Sequence, residues 1–330
     1  MSKIIVKSPT RVDLAGGTLD CWPLNSIVGK CYTINLSISI YTEAVLEPKT
    51  TKEIFLDVSD LNYKKTFSNL DELLACKDPE LVLIASHLKY WQPEMGFSLK
   101  TSSGSPVGGG LGGSSSLSVS IIKAFSQWLD RPMTGDEVVR LASNVEAHFL
   151  NTPTGTQDYI GAFSHGLNLI TYDYSGTSFE LLKFDKQHFE DHLMVVYTGK
   201  SHHSGINNWQ VIKEVVEKDK KTLAALHGIS TVSTKFKQIC LDQDWAKIPD
   251  LLNEENDMRV RLSSGFTNPE IEDLKKISFA NGALGFKICG AGGGGCVMIW
   301  SPKNSHEGIK QACQEKNYQV LKVKLVTQQG

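Results

Sequence analysis

The sequence predicts a mixed α+β protein built as two modest domains, and three observations predict it. Residues 33–40 alternate apolar and polar, the period of a strand; from Ser114 the apolar residues recur at helical spacing; and strand-like runs close the chain after a long helical stretch. At 330 residues the chain is long enough for two cores.

Taken in order, residues 4–7 form a short apolar run that stops at Ser8-Pro9. In 33–40, Ile34, Leu36, Ile38 and Ile40 share one face and Asn35, Ser37 and Ser39 the other, which reads as a half-buried strand. Runs 43–47, 54–58 and 97–101 are further strands, and 81–90 is a helix following Asp78-Pro79. Leu117, Ile121, Ala124, Phe125 and Trp128 form one helical stripe that stops at Asp130-Arg131-Pro132. The next helix opens on Thr134-Gly135-Asp136-Glu137, a capping-box pattern, carries Val138, Leu141, Ala142, Val145 and Phe149 on one stripe, and ends at Asn151-Thr152-Pro153. Strands follow at 167–172 and 193–197, and amphipathic helices fill about 207–256. Another helix follows Asn268-Pro269, and strands at 283–289, 296–300 and 319–326 close the chain. The change from a strand-rich first part to this second α+β part divides the chain into 1–170 and 171–330.

Composition removes several function classes. Lys and Arg total 34 against 36 Asp and Glu, a formal charge of −2 with no block of like charges, so the basic footprint of a nucleic-acid binder is missing. The seven cysteines are scattered without a Cys-x-x-Cys pair, which argues for reduced thiols and against a disulfide framework or a structural zinc site. The start does not read as a signal peptide, and no stretch approaches the roughly eighteen apolar residues of a membrane span. The expectation is a soluble, cytoplasmic protein with neither nucleic acid nor membrane as partner.

Three glycine-rich segments carry the chemistry. Pro106-Val-Gly-Gly-Gly-Leu-Gly-Gly-Ser-Ser-Ser116 runs into a helix N-terminus, where unpaired N–H groups and about half a unit of positive charge favour an anion. Its glycines let the backbone approach phosphate oxygens, and Ser114, Ser115 and Ser116 can cap the helix or offer a hydroxyl to a metal ion. Gly108-x-Gly110-x-x-Gly113 formally matches the dinucleotide fingerprint, but the acid at the right distance, Asp130, ends a helix. No Gly-Lys-Ser/Thr completes a P-loop, and a flexible glycine-serine turn is the bland alternative. The segment 287–296, Lys-Ile-Cys-Gly-Ala-Gly-Gly-Gly-Gly-Cys, lies between two β-type runs and by itself is a hairpin with an over-long turn. In Ser8-Pro-Thr-Arg-Val-Asp-Leu-Ala-Gly-Gly-Thr-Leu-Asp20 a strand leads into a glycine turn. Arg11 there can neutralise a transferring phosphoryl group and Asp20 can accept bonds from substrate hydroxyls, although both also fit plain surface roles.

Together and in this order the three segments resemble the signature motifs of the GHMP kinase superfamily, which includes galactokinase, homoserine kinase, mevalonate kinase and phosphomevalonate kinase. Ala15-Gly-Gly-Thr-Leu-Asp20, Gly155-Thr-Gln-Asp158, Leu262-Ser-Ser-Gly-Phe-Thr-Asn-Pro-Glu270 and Gly282-Ala-Leu-Gly-Phe-Lys287 are most similar to the D-glycero-D-manno-heptose phosphate kinase branch, with fucokinase-like sugar kinases close by. The resemblance implies an N-terminal mixed α+β domain, a C-terminal ferredoxin-like domain and an active site in the cleft between them. It implies ATP and Mg2+ as cofactors and transfer of a phosphoryl group to a hydroxyl of a sugar or sugar phosphate. It puts the ATP phosphates over Pro106, Gly108, Gly109, Gly110, Leu111, Gly112, Gly113, Ser114 and Ser115, and magnesium on Ser114 and Glu146. Asp158 takes or orients the hydroxyl proton, Arg11 meets the transferred phosphate, substrate also touches Asp20, Gly292 and Gly293, and adenine lies against some part of 58–91.

From the residues alone, Glu146 lies near the end of its helix, where the macrodipole disfavours a carboxylate by about 0.3–1 kcal/mol and a cation would offset this. An exposed glutamate there is also ordinary, and Asp158, in a Gly/Thr-rich turn, is equally an Asx cap. Two departures stand out. Gly113 precedes Ser114 where the superfamily commonly has a hydroxyl residue. In 197–204, His202 and His203 stand where heptose-phosphate kinases tend to carry an arginine, which weakens the case for a phosphorylated substrate, with Lys200 a partial substitute. A mevalonate-type kinase and a catalytically silent sugar- or nucleotide-binding regulator are the rival readings. Asp20 counts against the first; Ser114, Glu146, Asp158 and Arg11 together count against the second.

Overall fold

Two sheets organise the chain in the computed structural model, which describes residues 2–201 and 204–327. The first contains β1 (Ile4–Ala15), β2 (Cys31–Pro48), β3 (Ile54–Val58), β4 (Tyr63–Phe67), β5 (Phe97–Ser103), β6 (Leu167–Asp173) and β7 (Gly176–Leu182). Its order is β4-β3-β5-β2-β6-β7, with β1 paired to β2, and only β3 and β5 run parallel. The second sheet contains β8 (Leu193–Tyr197), β9 (Gly285–Ile288), β10 (Cys296–Trp300) and β11 (Gln319–Leu321), in the antiparallel order β11-β8-β10-β9. Counted from β8, the last strand lies beside the first and the third beside the second, which is the ferredoxin-like arrangement.

The run 4–7 is only the beginning of β1. The strand continues through Pro9 because a register shift between Pro9 and Thr10 accommodates the residue that has no N–H to donate. Runs 33–40 and 43–47 fuse into β2, which alternates in burial from Tyr41 onward but is not half-buried over 33–38. Its apolar face, with Ile34, Leu36 and Ile38, packs in a core shared with Leu193, Val195, Phe236 and Trp300. Its polar face is equally buried, because the helix Gln157–Ser164 lies across it: the Asn35 side-chain amide donates to the Gln157 carbonyl and the Ser37 hydroxyl to the Gly161 carbonyl, each at 2.8 Å. Polar residues on a strand signal a solvated face only when nothing with free carbonyls covers them.

Helices Val82–Trp91, Gly113–Trp128 and Gly135–Leu150 build the remaining core of the first sheet around Leu88, Trp91, Phe97 and Phe125. The capping box at Thr134 and Glu137 forms as the pattern requires. Strands β6 and β7 stay with the first sheet through the pairing of β6 with β2, so by sheet membership the first unit runs to Leu182 and position 170/171 falls inside β6. The chain end then returns to β2: Ser39 N–H donates to the Lys324 carbonyl at 2.8 Å and Val326 N–H to the Ser37 carbonyl at 3.0 Å. Among the described residues no helix is long and apolar enough to cross a membrane, and all seven cysteines are free.

Candidate active site

The central glycine segment leaves β5 and turns into the helix Gly113–Trp128. Gly108, Gly110 and Gly112 hold φ of 64°, 72° and 75°, a region that side chains disfavour. Gly112 is the N-cap, and no serine side chain caps this helix. Gly113, Ser114 and Ser115 therefore present the helix start to a cavity of about 940 Å³. Pro106, Gly108, Gly109, Gly110 and Gly112 line the same cavity, whereas the Leu111 side chain points into the core and only its carbonyl serves the site, accepting from Arg11 N–H at 3.1 Å. The glycine segment 287–296, the third along the chain after 8–20 and 106–116, joins β9 to β10, which pair antiparallel, so it is a hairpin loop and more. It packs on the central loop so closely that a Cβ on Gly290 would lie 2.9 Å from the Gly110 Cα, and Cys296 N–H donates to the Gly109 carbonyl at 2.8 Å. Gly290, Ala291, Gly292 and Gly294 line the cavity; Gly293 instead donates its N–H to the Phe266 carbonyl at 2.9 Å.

Arg11 and Asp158 meet at the centre. Asp158 sits in the first turn of the helix Gln157–Ser164 rather than in an irregular turn, and the residue before that helix, Thr156, makes no side-chain cap. Gly161, one turn further, lets this helix press against the Arg11 side chain, whose Cβ would lie 3.0 Å from any added methyl. The Arg11 guanidinium donates through Nε at 2.8 Å and through Nη2 at 2.5 Å to the same oxygen, Asp158 Oδ1, and through Nη1 to the Gly110 carbonyl at 2.7 Å. Burial works against the Arg11 charge, but Asp158 and Asp13 outweigh it and raise the pKa. The Asp158 carboxyl also faces the amino end of the helix Gly113–Trp128: a Cβ on Gly112 would lie 3.0 Å from its Oδ2.

Asp20 is buried beside this pair and accepts from Gln157 N–H at 3.2 Å. Burial, reinforced by the Asp158 charge, pushes its pKa up to about 6. Glu146 is buried as well, not exposed. Its Oε2 accepts from Ser115 Oγ at 2.8 Å and from the Tyr159 hydroxyl at 2.6 Å, and Ser114, exposed on the same turn, also acts on this carboxyl. Burial, with the Asp158 charge, raises the Glu146 pKa against the hydrogen bonds from Tyr159, Ser115 and Ser114, a balance that a bound cation would shift toward the carboxylate. Carboxylate and hydroxyl oxygens are hard donors of the kind magnesium takes, so the residues present fit that ion.

From the segment 58–91, Val58, Leu61, Leu83 and Ile84 give one end of the cavity an apolar wall. Lys200 turns instead toward Glu270, 3.5 Å away, and is not among the residues lining the cavity; His202 and His203 lie outside the described residues. Lys213 lines the cavity, is exposed, and has no ion pair among the described residues.

The sequence reading missed a second charged group, two members of which, Asp13 and Arg259, also line the cavity. Lys287 Nζ lies 2.8 Å from Asp13 Oδ2 and 3.4 Å from Glu255 Oε2, and Arg259 Nη2 lies 3.1 Å from Asp13 Oδ2 and 2.5 Å from Glu255 Oε1. Arg259 also donates to the Gly17 carbonyl at 3.1 Å, Thr18 Oγ1 at 3.3 Å and the Gly290 carbonyl at 3.2 Å. Lys287 and Arg259 outweigh the effect of burial and hold the Asp13 pKa below the ordinary carboxylate range. One signal was available: Asp13 is two residues from Arg11 on one strand and so shares its face.

Comparisons with known proteins agree with this architecture. Residues 80–166 match the family model of the GHMP kinases N terminal domain and residues 236–319 that of the GHMP kinases C terminal, together just over half of the chain. The chain is 28% identical to the D-glycero-alpha-D-manno-heptose 7-phosphate kinase of Campylobacter jejuni over 96% of its own length and 95% of that protein. It is 22% identical to the mevalonate kinase of Methanocaldococcus jannaschii over 98% and 100%. The crystal structure of a D-glycero-D-manno-heptose 1-phosphate kinase from Bacteroides thetaiotaomicron superposes with a TM-score of 0.78 at 22% identity, covering 98% of this chain and 96% of that one. Lactococcus lactis galactokinase superposes at 0.79 with 17% identity, covering 99% and 94%. With both family halves matched in order and the three glycine segments converging on one cleft, the chain belongs to the GHMP kinases and is an ATP-dependent phosphotransferase with a hydroxyl acceptor.

Proposed function

We propose that the chain phosphorylates a hydroxyl of a sugar or sugar phosphate, with Asp158 orienting the attacking hydroxyl and Arg11 neutralising the transferring group. The observation that carries this is the Arg11–Asp158 pair set against Gly112 at the start of the phosphate-loop helix, with Asp20 buried beside it. Phosphoryl transfer asks for positioning and charge neutralisation more than for covalent chemistry. Both Arg11 bonds fall on Oδ1, which leaves Asp158 Oδ2 for the incoming hydroxyl. The amides at the helix start, together with Gly108 and Gly110, cradle the phosphates. Ser114 and Glu146 would hold magnesium, which when bound offsets phosphate charge. Asp20 suits a polyhydroxylated acceptor, from whose hydroxyls it can accept hydrogen bonds, and disfavours an acid such as mevalonate. The kinship with two heptose phosphate kinases supports a phosphorylated acceptor, and Lys213 is a cation free to meet such a group.

The test is ADP release with free and phosphorylated hexoses and heptoses, and with mevalonate. Turnover is expected on a sugar or sugar phosphate. In Asp158→Ala, turnover is expected to fall by about 10²–10⁴-fold while an ATP analogue still binds. Turnover on mevalonate and on no sugar overturns the reading.

A further inference from the structure

Asp13, Glu255, Arg259 and Lys287 are each at most 1% exposed and form a closed ring of zero net charge. Replacing such a ring by apolar residues is commonly neutral or stabilising, so stability is a poor account of it. Its connections give a better one. The five N–H groups of Arg259 are shared among two carboxylates, two glycine-segment carbonyls and the Thr18 hydroxyl. Gly17 and Thr18 belong to the turn that presents Asp20, and Thr18 is held at φ 77°, a strained conformation for a β-branched residue. Gly290 belongs to the third segment and lies against Gly110, whose carbonyl takes a bond from Arg11. Arg11 and Asp13 share one face of β1, with no register shift between them. The contacts thus close a circuit from Arg259 through Asp13 and β1 to Arg11, then through Gly110 and Gly290 back to Arg259.

We propose that Arg259 is a positioning residue for phosphoryl transfer: its guanidinium fixes the first and third glycine segments to β1 and so holds the Arg11–Asp158 pair and the Asp20 turn in register. The inference rests on the kinase reading of these residues. Arg259 borders the cavity, but its N–H groups are all given to protein acceptors, so it acts through Arg11 and Asp20.

The double variant Glu255→Leu/Arg259→Met removes one cation and one anion and leaves Asp13 paired with Lys287, so the buried charge stays balanced. It is expected to keep its urea midpoint near that of the wild type and its KM for ATP little changed. Its kcat is expected to fall by about 10²-fold, the scale of an ångström of misplacement. Amide hydrogen exchange is expected to accelerate in 108–113 and 289–295. A merely structural role predicts instead that a variant with restored stability regains turnover, and that result overturns the proposal. Should the double variant fail to fold, Arg259→Lys keeps the charge, but one ammonium cannot span Gly17, Thr18 and Gly290. The same loss of kcat is expected, and wild-type kcat in Arg259→Lys overturns the proposal. Because exchange needs no substrate, unchanged exchange in a folded variant overturns the inference even if the wild type turns over no sugar.

Discussion

Asp20 shows how a single residue ties function to stability. Its pKa in the folded chain is raised from 3.8 to about 6, so the native state holds a proton that the unfolded state has released between those values. Stability therefore declines as pH rises from 3.8 to about 6, and above that the full penalty persists, on the order of 3 kcal/mol. Asp20→Asn cannot ionise and its carbonyl can still accept from Gln157. Urea midpoints are expected to show the variant more stable than the wild type at pH 8 and level with it near pH 4, with acceptor turnover reduced. A difference that does not change with pH would show that the carboxyl charge is not the cause. The burial that raises this pKa was invisible in the sequence, where Asp20 was one acid after a glycine turn.

At the scale of the element, the glycine segments separate geometry from mere flexibility. Gly112 combines φ of 75° with a Cβ position 3.0 Å from the Asp158 carboxyl, so Gly112→Ala strains the turn and displaces the carboxylate. Gly176, the first residue of β7, has φ of 126° and nothing within 4 Å of its Cβ position. Both alanine variants are expected to lose stability, by about 1–2 kcal/mol from the backbone alone, but only Gly112→Ala is expected to lose kcat, by tenfold or more. Equal kcat in the two variants refutes the assignment of Gly112 to the site. The glycines were legible because a turn before a well-patterned helix leaves a local signature. The helix Gln157–Ser164 was not, because it is short and its order comes from Asn35 and Ser37 beneath it.

The whole molecule is two sheets with one shared interior. Val12, Leu14, Ile34 and Leu36 of the first sheet pack in the same cluster as Leu193, Val195, Met298 and Trp300 of the second. The return of Leu325 to β2 closes the seam. A core built from both units cannot be completed by either alone, so unfolding is expected to be one cooperative transition. Variants keeping only Trp91, in the first unit, or only Trp300, in the second, are expected to report the same urea midpoint. Two separated midpoints would show that the units are thermodynamically independent.

The sequence by itself determined the longest helices and most of the strands, the order of the glycine segments and the residues that could bear charge at a phosphate, because each depends on local periodicity or local backbone freedom. The tertiary structure alone decided that Arg11 grips Asp158, that Ser115 reaches Glu146, and that Arg259 binds Asp13, since nothing in a local pattern specifies which distant segment the sheet order brings alongside. It also decided that Asn35 and Ser37, on the polar face of β2, are buried. A carbonyl on a covering helix satisfies an asparagine as well as water does, and sequence alternation cannot tell the two apart.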